Sequence, residues 1–176
     1  QTLRQLLLPA GSGGGFAAAE VRDWPVHRVR AVHILLDNFS DDFHVALIDR
    51  ILSKFKFNTI VAEAEYVRWE SARNLWHPAG ASKEEVAAVL QAAREHHIEV
   101  IPLIQTLGHA EWLYNNNQNL DLLEIPPEQS NARYVYNPLN PRVYEVILPI
   151  FDEAIRLFRP RYLHIGHDEV RNVVPF

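Results

Sequence analysis

Apolar positions along the chain fall into two alternating rhythms. Continuous short runs occupy Val29–Leu36, Asn58–Ala64, Glu99–Thr106 and Tyr162–Gly166, and each reads as a buried strand. Between them the apolar residues recur every three or four positions, the period of one helix face. The first such stretch carries Ile48, Ile51, Leu52 and Phe55, the second Val86, Val89, Leu90 and Ala93. The third and longest carries Val143, Val146, Ile147, Ile150, Phe151, Ala154, Ile155 and Phe158. Helix starts are marked by Ser40 before Asp41 and Asp42, by the capping box Ser82-Lys83-Glu84-Glu85, and by Asn140-Pro141. Pro149, inside the third stretch, predicts a bend or one lost internal hydrogen bond.

Strand, helix, strand, helix is the signature of a parallel sheet joined by helical crossovers. A closed eight-fold barrel takes about 250 residues, whereas here four units occupy all 176. The expected fold is therefore α/β, a (β/α)8 TIM-barrel type of which the chain covers about the first four βα units. A small open doubly wound sheet is the alternative. Residues 1–20 read as a helix end and linker, closed by Pro9 and the run Gly11-Ser12-Gly13-Gly14-Gly15, with residues 21–176 as the half barrel. The insert Trp112–Pro138 follows strand three at the carboxyl end of the sheet, and its length reads as a functional loop.

Composition removes several classes of function. The 48% hydrophobic and 22% charged content is globular, and a net charge of −5 leaves no basic footprint for nucleic acid. There is no cysteine, hence no disulfide, zinc–thiolate site or thiol nucleophile, and no apolar run of membrane-spanning length. The absence of methionine, even at position 1, is expected of a chain that begins after processing or of a fragment, and the fragment is the favoured reading.

Candidate chemistry gathers at the predicted carboxyl ends of the strands, where parallel α/β folds build their sites. Strand four runs into His164-Ile165-Gly166-His167-Asp168-Glu169, strand three into Gln105-Thr106-Leu107-Gly108-His109, and strand two into Glu63-Ala64-Glu65. Adjacent carboxylates at the rim of a sheet are either solvated or chemical, because ionised acids are costly to bury. Alternation along a strand places His164, Gly166 and Asp168 on one face, and Glu63 with Glu65 on another. Arg30, early in strand one, reads equally as an ion pair on a barrel floor. Glu63 and Glu65 read also as solvated strand-end acids, His109 as a turn cap and His164 as a satisfied core histidine. Trp69, Trp76 and Trp112 read as packing or as sugar platforms. Nine histidines raise a metal hydrolase with His33, His109, His164, His167 and Asp168 as ligands, but His164-x-x-His167 on a strand points its imidazoles to opposite faces.

Taken together these segments resemble glycoside hydrolase family 20, the β-N-acetylhexosaminidases, and most closely the hexosaminidase D branch. The resemblance is carried by residues 100–111 (VIPLIQTLGHAE), by Leu139-Asn140-Pro141 and by residues 163–170 (LHIGHDEV). It implies a retaining, substrate-assisted mechanism, an exception to the two-carboxylate scheme. The acetamido oxygen of the sugar is the nucleophile, Glu169 the acid and later base, and Asp168 the group that orients the acetamide. Arg30, Glu63, Glu65, His109 and His164 are implied as substrate-binding residues, N-acetylhexosamine glycans or glycosides as partners, and no cofactor or metal. A domain before Gln1 and four further βα units are implied by the same resemblance. Compartment leans to the cytoplasm by resemblance alone. Ala31 after Arg30, His167 before the acid pair and the acids of strand two depart from the usual family pattern. Open alternatives are a sugar-binding relative without turnover, and a half barrel that pairs with a second copy of itself.

Overall fold

The computed structural model describes residues 20–129 and 133–170, so the expected helix end and linker of residues 1–19 lie outside the described residues. Four parallel strands, β1 (Ala31–Leu35), β2 (Thr59–Glu63), β3 (Glu99–Thr106) and β4 (His164–Gly166), lie side by side in chain order. Three helices join them: α1 (Asp41–Leu47), α2 (Lys83–Glu95) and α3 (Arg142–Phe158). Register fixes which side chains share a face: Val32 is level with Ile60 and Val100, and Ile34 with Ala62 and Pro102. That face packs on the helices, and Ile34, Ile60, Ala62 and Ile104 form one core with Ile48, Leu52, Val86, Val89, Val143, Ile147 and Ile150.

The opposite face carries Ala31, His33 and Leu35 of β1 in the open, with Leu35 41% exposed. This corrects the reading of each run as a buried strand, since among the described residues only one layer of helices covers the sheet. The correction is largest at β4. It is three residues long at the sheet edge, its pairing to β3 is irregular, and Tyr162 and Ile165 remain 54% and 42% exposed. His164 is accordingly exposed and not a core histidine.

The helix starts follow local chemistry, with one exception. Ser82 and Glu85 form the expected capping box, Ser82 N–H donating to Glu85 Oε2 at 2.6 Å and Glu85 N–H to Ser82 Oγ at 3.2 Å. Asn140 Oδ1 accepts from the N–H of Arg142, the first residue of α3, at 3.1 Å, and Pro141 holds the position just before the helix. Ser40 holds the first position before α1 but does not cap it; its hydroxyl donates to Asp37 Oδ1 at 2.7 Å. After α1 the backbone slips into π-type bonding over Ile48–Leu52, with Ser53 N–H donating to Ile48 O. The wider turn shifts the phase of the apolar stripe, so Ile48 and Leu52 are buried while the expected partners Ile51 and Phe55 are 46% and 68% exposed. In α3 the stripe holds except at Ile155, and Pro149 lies on the exposed side of an unbroken helix.

Candidate active site at the carboxyl ends of the strands

The turn that leaves β3 passes directly under the acid pair. Leu107 and His109 both adopt left-handed backbone, at φ 65° and 51°, as do His167 and Glu169 at 74° and 47°. Each such non-glycine residue costs about 1–2 kcal/mol, and strain of this kind concentrates at functional sites. Gly108 allows the approach: a Cβ there would stand 2.4 Å from the carbonyl oxygen of Asp168. Gly166, at φ 74°, ends β4, so the strand alternation expected to reach Asp168 stops two residues short of it. His167 N–H donates to Thr106 O at 3.2 Å and ties this segment to the end of β3.

His109 stands at the centre of the cluster. Its Nε2 is 3.4 Å from Glu169 Oε2 and 3.8 Å from Asp168 Oδ2. The Tyr134 hydroxyl lies 2.8 Å from Nε2 and 2.9 Å from Nδ1, and the tautomer decides which nitrogen is its partner. The side chains of Asp168 and Glu169 are 58% and 50% exposed, so both carboxylates are reachable from solution. Tyr134 comes from the insert after β3, which folds back through Ala110 N–H to Tyr134 O at 3.0 Å and a bridge between Leu123 and Tyr136. Nothing in the spacing of the sequence links residue 134 to residue 109, and Tyr134 is the site residue that pattern reading missed.

Glu63 at the end of β2 and Glu65 just beyond it form a second polar group. Glu63 Oε2 lies 2.9 Å from His33 Nε2 on β1. Glu65 is 7% exposed, which corrects its reading as a solvated acid. Burial, then a hydrogen bond and charge repulsion from Glu63, push its carboxyl up to about 9. At neutral pH the pair therefore holds a proton, Glu65 neutral beside Glu63.

Other candidates fall elsewhere. Arg30 sits at the amino end of β1, its guanidinium donating to the carbonyls of Lys56, of His27 at 2.6 Å and of Arg28. That is the far end of the strands from the acid pair, and the structure does not bring the two together. His164 Nδ1 accepts from Gly166 N–H at 3.0 Å. Trp69 and Trp112 are 2% exposed and donate their indole N–H groups to Ala64 O and Gln105 O, so they pin strand ends and are closed to a sugar. Among the described residues no three histidines or acids converge as metal ligands, so a metal hydrolase gains no donor set.

Carboxylates at the carboxyl ends of parallel strands stand where α/β barrels build their active sites, and paired carboxylates are the catalytic groups of most glycoside hydrolases. Comparison with known proteins places the chain within that class. Residues 61–173 match the catalytic domain of glycosyl hydrolase family 20, and the chain belongs to that family. Among curated relatives it is 31% identical over 97 residues to a beta-hexosaminidase of Vibrio furnissii, covering 51% of this chain and 15% of that protein. It is 33% identical over 93 residues to hexosaminidase D of Bos taurus, covering 51% and 25%. Among solved structures, a family 20 β-N-acetylhexosaminidase of Streptomyces coelicolor superposes with a TM-score of 0.69 at 22% identity, over 95% of this chain and 40% of that one. An exo-β-N-acetylglucosaminidase of Vibrio harveyi superposes with a TM-score of 0.63 at 25% identity, over 84% and 28%. The chain thus spans well under half the length of these relatives.

Proposed function

We propose that the protein to which this chain belongs removes terminal β-linked N-acetylhexosamine from glycans or glycosides with retention of configuration. Glu169 gives a proton to the leaving oxygen and later takes one from water. Asp168 accepts the acetamide N–H and stabilises positive charge as the acetamido oxygen closes on the anomeric carbon. Holding that internal nucleophile in place supplies a large effective molarity, so the protein needs one acid and one orienting carboxylate side by side. His109, with Tyr134 behind it, fixes the position of the pair, and Glu63 with Glu65 offers a hydrogen-bonding wall at the carboxyl end of β2. Arg30 and His164 were expected to bind substrate as well; their positions add nothing to that expectation.

The observation that carries the proposal is the placement of His109 against both Glu169 and Asp168 at the carboxyl end of β4, on a turn that only Gly108 permits. The test is hydrolysis of a chromogenic N-acetyl-β-glucosaminide beside the Glu169→Gln variant. A fall in kcat of about 100-fold or more, the scale of a lost general acid, is the expected result. Equal turnover by the variant would remove Glu169 from the role.

A further inference from the structure

On the other end of the sheet lies a cleft of about 730 Å³ between the carboxyl ends of α2 and α3. Four arginines line it, Arg94, Arg156, Arg159 and Arg161, against a single carboxylate, Glu99. In a chain with net charge −5 this is a local excess of three positive charges. Three arginines elsewhere in the fold are engaged: Arg142 pairs with Asp121, Arg73 with Glu70, and Arg30 spends its guanidinium on carbonyls. Among the described residues none of the four cleft arginines forms an ion pair with a carboxylate, and all four are exposed. Arg94 donates to Gln91 Oε1 at 3.2 Å, and the Arg161 guanidinium lies over the Tyr162 ring.

Helix ends alone do not account for this. A helix carboxyl terminus is equivalent to about half a negative charge, so two of them balance about one arginine. Arg159 holds the left-handed position after α3, at φ 47°, where glycine is a common choice. The floor is apolar, built from Leu90, Ile98 and Phe158, which are each less than one-tenth exposed. Water competes poorly over such a floor, and guanidinium groups match the paired oxygens of a tetrahedral anion.

We infer that this cleft is a binding site for a tetrahedral oxyanion, a phosphate or sulfate group, either free or carried on a small organic molecule. It stands at the amino ends of the strands, away from Asp168 and Glu169, and the chemistry proposed for that pair does not use it. The test uses thermal unfolding and calorimetric titration with inorganic phosphate, inorganic sulfate, N-acetylglucosamine 6-phosphate and N-acetylglucosamine 6-sulfate, each against sodium chloride at equal ionic strength. A rise in Tm with the inorganic ions assigns the free anion. A rise confined to the sugar esters assigns the carried group. Arg156→Gln with Arg161→Gln should weaken binding by about ten-fold or more, while Arg73→Gln, outside the cleft, leaves it unchanged. Arg159→Gly is the decisive variant, because glycine suits the backbone there and cannot unfold the helix end. It should lose affinity without losing Tm in the absence of ligand. Stabilisation no greater than that from chloride, or affinity unchanged from the parent in Arg159→Gly and in the double variant, would overturn the inference.

Discussion

Glu65 shows what one buried acid does to the pH response of this fold. The unfolded chain releases its proton near 4.5, the folded chain near 9, so between those values the folded state binds more protons. Stability therefore falls as pH rises through that window. Glu65→Gln removes the titration and gives Glu63 a permanent donor. The variant should gain Tm over the parent at pH 8, about 2–4 °C for each kcal/mol recovered, and should show a flatter Tm between pH 5 and 8. A parent Tm that rises over that range would contradict the neutral state of Glu65. Gly108 makes the opposite point, that a residue without a side chain sets the site. With the Asp168 carbonyl 2.4 Å from a Cβ at that position, Gly108→Ala must displace the acid segment or the turn. We expect a loss of about 1–3 kcal/mol in chemical unfolding, together with a fall in kcat against the chromogenic glucosaminide; an unchanged kcat would show that the turn does not set the acid pair.

Among the elements, α3 carries the least obvious link. Glu153 lies on its buried side among Ile147, Ile150 and Ala154, and it is 7% exposed. Its carboxylate accepts from the backbone N–H of Glu70 and of Ser71, both at 3.0 Å, and from the Ser71 hydroxyl at 2.8 Å, and it pairs with Lys83 at the start of α2. One side chain thus joins α2, α3 and the turn after β2. Burial opposes its charge, but the Lys83 bond and the Ser71 and Glu70 donors outweigh burial and hold the group at about 2. Its contribution is complete above the unfolded value of 4.5 and is lost as pH falls from there toward 2. The shift corresponds to about 3 kcal/mol as an upper figure. Glu153→Gln should unfold at lower denaturant at pH 7, and its deficit against the parent should shrink between pH 4.5 and 2. A deficit independent of pH would mean that shape and not charge is what the position supplies.

At the scale of the molecule, the strands and helices were legible because their periods differ and because caps such as Ser82–Glu85 act within four residues. The acid pair and His109 were legible for the same local reason, being adjacent to strand ends. Tyr134, Glu153 and the phase slip at Ile48–Leu52 were not, since each depends on what a side chain meets from 25 or more residues away or on a backbone detail with no compositional mark. The exposure of β4 belongs to this second kind. Its run Tyr162–Ile165 has the look of an interior strand, yet its edge position and irregular pairing with β3 leave it thinly held. Amide exchange reads this directly, because protection follows how cooperatively each strand is packed. β2, flanked on both sides and carrying Ile60 and Ala62 at 0% exposure, should exchange with the slowest amides of the sheet. Residues 164–168 should exchange faster by about two orders of magnitude, the difference between local and global opening. If N-acetylglucosamine binds at the acid pair, adding it should slow exchange at residues 166–169 and leave β1 unchanged. Protection of β4 equal to that of β2 in the free chain would mean that a further surface covers this edge in solution, and the oligomeric mass measured in the same buffer would say whether that surface is a second copy.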